Sequence, residues 1–456
     1  MNDGSQLHFQ FRRAAAAITV EGGSPDDVRS RLRSVRRQRV VARRVGGAAV
    51  GVMLVASGLW LGMRVEPAST IHPATSVTGV WGELPAPPLG PRLLSVSVAT
   101  NDGWFVWGGR KQRNGDAAGD PEVEGAYYDQ ATGEWRTLPG APLEVSPGQE
   151  IGTAVWSEIG AAVWSGAEVV VVIGGATPQF AAFDPQAFTW RSIAVPADVM
   201  AQWPVRNGEY DAPGLLWSAD RVVVLLPGFA DDRAYSSMLT LDPATGTFVV
   251  SSPAPQPMRT ETPVVASESS LYFVDASGGD CRGTRQVHVY DIVAGTWSDV
   301  ALPHDNWVPS IVAWTGTGLL VAGGADCTSD QAGVRFAAVL DGGSVTWRAA
   351  ADLPEDHRNV MFAPTAAADG LVASLDYDGA PFVYDAVLDR WWVGPPIIPS
   401  TVEAAIVSAA RLVALGRDLV IWSPQLNDST TTGTVLHLAI PDPSTWPDPP
   451  AATTSP

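Results

Sequence analysis

Hydrophobic and polar positions fall into two regimes along the 456 residues. From about residue 80 onward, short apolar runs alternate with clusters of Gly, Pro, Asn, Asp, Ser and Thr. That alternation predicts strands separated by tight turns. Runs such as 169–173 (VVVVI) are apolar throughout, as in strands covered on both faces. Earlier in the chain the pattern differs. Val45 to Met63 (VGGAAVGVMLVASGLWLGM) is a stretch of 19 residues without a charge. It predicts a helix about 28 Å long at ~1.5 Å per residue, close to the ~30 Å of a bilayer core.

One spacing recurs within the strand region. An Asp is followed six residues later by an aromatic at Asp129/Trp135, Asp184/Trp190, Asp242/Phe248, Asp291/Trp297, Asp341/Trp347 and Asp385/Trp391. Each local text (YYDQATGEW, VYDIVAGTW) reads as a strand, a tight turn and a second strand opening on the aromatic. The aromatics lie 55, 58, 49, 50 and 44 residues apart, a range that suits a unit of four strands with variable connections. Upstream of each pair lies another hairpin, as in IVAWTGTGLLVAGG (311–324). Strands a, b, c and d therefore repeat as a unit, predicting blades of a β-propeller. Trp81-Gly82-Glu83-Leu84-Pro85 matches Trp135–Pro139 and reads as a strand d with no strand a before it. Residues 410–441 supply strands a, b and c without a pair. The N-terminal strand thus completes a seventh blade and closes the ring. The alternative, in which Trp446 opens its own strand d, is disfavoured by its Pro-rich surroundings.

The diglycine after strand b (Gly108-Gly109, Gly174-Gly175, Gly323-Gly324), the aromatic-Asp ending strand c and the Trp opening strand d together resemble the kelch-repeat family. The resemblance covers roughly residues 80–440 and implies an all-β, seven-bladed kelch-like β-propeller. Ser374-Leu375 and Ser423-Pro424 depart from it where a diglycine should stand. It extends distantly to the central propeller of the galactose oxidase family, which implies a copper site with paired His and a Tyr cross-linked to Cys.

Charge then sets a topology. The net charge is −19, yet residues 1–44 carry ten Arg against four acids and are +6, leaving −25 for the rest. That balance argues against nucleic-acid binding. Arg crowds residues 29–44 immediately before the apolar run, so the positive-inside rule puts the N-terminus in the cytoplasm. A cleaved signal peptide would have a shorter basic region and a small-residue cleavage site; here the run exits as Met63-Arg64-Val65-Glu66-Pro67. The expected organisation is a basic cytoplasmic tail (1–44) touching anionic lipid, a transmembrane helix (45–63) and a linker (64–78). The propeller (79–441) and a Pro-rich disordered tail (442–456) follow outside the membrane. Arg outnumbers Lys 28 to 1, in keeping with GC-rich bacterial coding.

Candidate chemistry is sparse. The repeated Trp residues read as packing between blades, and the repeated Asp residues as acceptors for turn amides. Cys281 and Cys327 occupy matching b–c connections of blades 4 and 5, and outside the cell they are expected to pair as a disulfide. The six His show no zinc-like spacing, so neither a metal nor another cofactor is expected. With both Cys in a repeat-matched pair, no thiol remains for a Tyr, which argues against the oxidase chemistry. The b–c and d–a connections carry the long insertions, with acids beside aromatics. The candidate binding residues there are Trp203, His304, Asp305, Asn306, Trp307 and His357. Binding or scaffolding toward an extracellular protein or glycan is favoured over a carbohydrate-active or oxidase-type envelope enzyme.

Overall fold

A computed structural model describes residues 79–446 apart from 91, 94, 112–121, 145–160, 175–176, 204, 207–208, 211–213, 229–233, 252–257, 260–261, 276–284, 305–306, 327–335, 355–364, 367–369, 376–378, 398–410 and 424–433. All of the described residues belong to one compact unit. They form seven antiparallel sheets of four main strands each, one of them with a short fifth strand, and small two-stranded ladders lie beside them. Blade 1 consists of Val96–Ala99, Gly103–Trp107, Gly125–Asp129 and Glu134–Thr137. Blades 2 to 6 begin with strands a at Ala161–Trp164, Gly214–Ser218, Val264–Ala266, Ile311–Trp314 and Thr365–Ala366. In blade 7, Arg411–Leu415, Asp418–Ser423 and Thr434–Ala439 are completed by Trp81–Leu84, with Trp81 opposite Leu438. Every strand a touches strand a of both neighbouring blades, so the ring is closed.

The apolar pattern explains where the core sits. Strand b is covered on both faces, and Val169, Val170, Val171 and Val172 are fully buried. There is no single core. Seven apolar clusters each fill one blade–blade interface, from blades 1 and 2 around to blades 7 and 1.

The repeated Trp residues also latch one blade to the next. The indole N–H of Trp135 donates to Pro85 O at 2.7 Å, and that of Trp190 to Pro139 O at 2.9 Å. Trp347 reaches Ala301 O at 2.7 Å, Trp391 reaches Ala351 O at 2.7 Å, and Trp81 reaches Pro395 O at 2.8 Å. Each acceptor lies four residues past the aromatic of the preceding blade. Phe248 has no N–H to give. For Trp297 the corresponding acceptor, Ser252, falls outside the described residues.

The repeated Asp residues hold their turns as expected. Asp184 Oδ1 accepts from Gln186 N at 2.8 Å and Ala187 N at 2.9 Å; Asp129, Asp242 and Asp385 do the same in their blades. Four residues after the Asp, the chain turns left-handed at Gly133, Gly246 and Gly295, and also at Phe188 (φ 56°) and Asp389 (φ 50°). Such a backbone is strained for a side chain. Phe188 is held by the Arg136 guanidinium, 3.5 Å from its ring centre, and Asp389 by the Tyr384 hydroxyl at 2.7 Å.

The packed chain runs past residue 441. A 3-10 turn at Pro443–Thr445 leads to Trp446, which is buried and stacks on Trp392. Trp446 therefore packs between blades 6 and 7 without forming a strand. Among the described residues no helix is long and apolar enough to cross a membrane; the run 45–63 lies outside them.

Candidate functional site

The a–b and c–d turns are short and stapled by their own side chains, and they share one end of the blades. The b–c and d–a connections share the other end, where the chain is free to vary. Here the diglycine has a structural meaning. In blade 5, Gly323 (φ 63°) and Gly324 (φ 104°) both adopt left-handed backbone. A Cβ on Gly324 would stand 1.8 Å from Val308 O. The kink lets the chain pair again beyond the blade: Trp307–Val308 forms a short ladder with Ala325–Asp326. Gly108-Gly109 does the same in blade 1, below a ladder of Arg92–Leu93 with Arg110–Lys111. The diglycine thus marks where a blade extends into the connection face.

Over blade 5 this extension builds an aromatic cluster. Phe336 lies edge-on to both His304 and Trp307, with ring centres 4.4 Å and 5.2 Å away. The Trp307 indole donates to Gly323 O at 2.6 Å. His304 is exposed, whereas Trp307 is only 2% exposed. This corrects the expectation of an exposed aromatic anchor: the kinked diglycine and Phe336 fold over Trp307 and make it core. Trp203 is corrected likewise. It is 3% exposed and packs edge-on to Phe180, between blades 2 and 3. Asp305, Asn306 and His357 lie outside the described residues, as do Cys281 and Cys327. His304 is therefore the one predicted binding residue that the structure places at the surface. Phe336 was missed because it lies just before strand c, Ala337–Asp341, whose repeated motif stands at the far end, at Asp341.

A second feature of this face is a shallow depression of about 240 Å3 between the connections around blade 2. Phe180, Ile193, Val195 and Met200 give it an apolar floor, and Thr177, Gln179 and Ser192 its polar rim. Gln179 is fixed by two bonds with the Glu144 backbone, at 2.9 and 3.0 Å.

The family resemblance implied copper, and the described residues do not fit it. His288 is buried within strand c of blade 4, with Nδ1 2.6 Å from Asp299 Oδ1. His437 sits in strand c of blade 7, its ring over Gly82 of the closing strand. Neither shares a site with His304. Among the described residues no three of His, Cys, Asp or Glu converge. Two of the buried Tyr hydroxyls are likewise engaged inside the sheets: Tyr127 meets Thr100 Oγ1 at 2.8 Å, and Tyr384 donates to Asp389.

No family model and no curated protein matches this sequence. Solved structures do match: 1338 chains, so the scaffold is widely used and does not by itself select a function. One is described as a novel fungal alcohol oxidase with catalytic diversity among the AA5 family, in complex with copper. It superposes with a TM-score of 0.52 over 80% of this chain and 77% of its own, at 12% identity. The chain is a seven-bladed β-propeller whose fold is similar to that of the galactose oxidase-type AA5 proteins.

Proposed function

We propose that this chain is a membrane-anchored, kelch-like binding or scaffold protein that presents its b–c and d–a connections to an extracytoplasmic protein or glycan. In this reading the run 45–63 is the anchor, and the Arg-rich tail lies in the cytoplasm against anionic lipid. Cys281 and Cys327 are joined as a disulfide between neighbouring connections. One observation carries the reading. The ring is closed and latched from blade to blade, the turns at one end are short, and the long connections gather at the other end. A rigid frame of that kind holds variable loops for recognition at little cost in order. His304, Asp305, Asn306 and His357 remain the proposed contacts, with the buried Trp307 beside His304.

The test is binding of the purified full-length chain, in detergent, to isolated cell-envelope glycans and envelope proteins. Saturable binding is expected, weakened by ~1–2 kcal/mol in His304→Ala with the melting temperature unchanged. Binding that is indifferent to His304 and His357 would move the site elsewhere. The shared fold is the one observation that favours an oxidase-type enzyme instead. Stoichiometric copper in the purified chain, with oxidation of an alcohol, would establish that reading.

A further inference from the structure

The face opposite the connections carries an asymmetry that the proposed function does not use. Among the described residues, the large apolar side chains left exposed are Val80, Val123, Val249, Val250, Val293, Val345, Val387 and Leu388. Val293, Val345 and Val387 each occupy a c–d turn, in blades 4, 5 and 6 respectively, and are 75–80% exposed; Leu388 adjoins Val387. The turn Asp residues do not mask them. Asp291 and Asp385 are engaged with the amides of their own turns, and Asp341 with Arg348. The equivalent turns of blades 1 to 3 present Gln130-Ala131-Thr132, Gln186-Ala187 and Ala244-Thr245, with no large apolar side chain exposed.

Blade 7 has no c–d turn, because that is where the chain enters the ring. Strand c ends at Ala439, strand d begins at Trp81, and Gly79 N bonds Ala439 O at 3.1 Å. Val80, 53% exposed, therefore takes the place of a turn tip in the fourth consecutive blade. The described chain begins at Gly79, on the face and the side of the ring that carry the exposed valines. Residues 64–78, between the apolar run 45–63 and Gly79, reach at most about 50 Å at ~3.3–3.6 Å each.

We propose that the c–d turns of blades 4 to 7 rest on the lipid surface. Val80, Val293, Val345, Val387 and Leu388 dip into the headgroup boundary, and the connection face turns away from the membrane. The proposal rests on the anchored reading given above. The tether alone would leave the ring free to tumble. By keeping it close, the tether raises the effective concentration of turn tips that would bind lipid only weakly on their own.

The test uses the full chain reconstituted in phosphatidylcholine vesicles. Single variants Val345→Cys, Val387→Cys and, as the control on the opposite face, Val123→Cys carry an environment-sensitive fluorophore. The wild-type chain labelled in parallel sets the background from Cys281 and Cys327. All of the substituted side chains are exposed, so an unchanged melting temperature is expected. Flotation with the vesicles reports the anchor separately. In floated protein, a lipid-borne quencher should quench the probes at 345 and 387 several-fold more than the probe at 123. Flotation with equal quenching at all three positions would overturn the proposal and leave the anchor standing. Failure to float would overturn the anchored reading and this proposal with it. Protection of 345 and 387 that persists in detergent would point to a second protein chain on this face, and would overturn the proposal too.

Discussion

A buried indole contributes through both its area and its one polar atom, and Trp307 shows how the two separate packing from recognition. Its ring is enclosed by Phe336 and its N–H is satisfied by Gly323 O. Trp307→Ala should therefore cost ~3–5 kcal/mol, as for the buried strand-d Trp391. Denaturant melts of the two variants check this; a Trp307 variant as stable as the wild type would return the side chain to the surface. Tyr127 makes a prediction about pH. Burial, opposed in part by the Thr100 hydrogen bond, pushes its phenol up from 10.0 to about 12. Burial, and then the Asp389 carboxylate, raise Tyr384 too. The folded value exceeds the unfolded one, so this stability is fully present below pH 10 and is lost as pH rises through 12. For Tyr127 it amounts to roughly 2–3 kcal/mol. Melting temperatures should fall over that window as tyrosinate absorbance appears, less steeply in Tyr127→Phe.

Among the elements, the closing strand has the most to lose. Trp81–Leu84 supplies the fourth strand of blade 7, and Trp81 reaches across to Pro395 of blade 6. Removing it would leave Thr434–Ala439 as an open edge and the interface of blades 6 and 7 without its latch. A chain beginning at Pro85 should lose at least ~3 kcal/mol, the lower end for a packed Trp, and tend to aggregate. One beginning at Gly79 should melt like the full-length protein. Scanning calorimetry of the two truncations decides it: equal melting would mean that the ring closes without this strand.

For the whole molecule, the charge split and the ring make a joint prediction. With residues 1–44 at +6 and the remainder at −25, the propeller is expected outside and the tail inside. Protease added to intact spheroplasts should remove the propeller and spare the tail. A protected propeller with a digested tail would reverse the topology. Because the core is divided among seven interfaces, damage at one of them should spread to its neighbours before the ring as a whole unfolds.

The sequence determined what repetition makes local. Asp and aromatic at a fixed spacing, strand b as an apolar run and a stray strand d at residue 81 are short-range signals. Each is stated several times over, and together they were enough for the blade, the count and the closure. Tertiary structure decided what depends on segments far apart in the chain. Trp307 and Trp203 stand in connections rich in polar residues, and nothing nearby in sequence shows that Phe336 or Phe180 will cover them. Conversely, Val293, Val345 and Val387 look like ordinary turn residues one at a time. They became a surface only when the ring set blades 4, 5 and 6 beside the point where the chain enters. Burial is a property of the neighbours that folding brings in, and for a side chain in a connection those neighbours come from other turns of the ring.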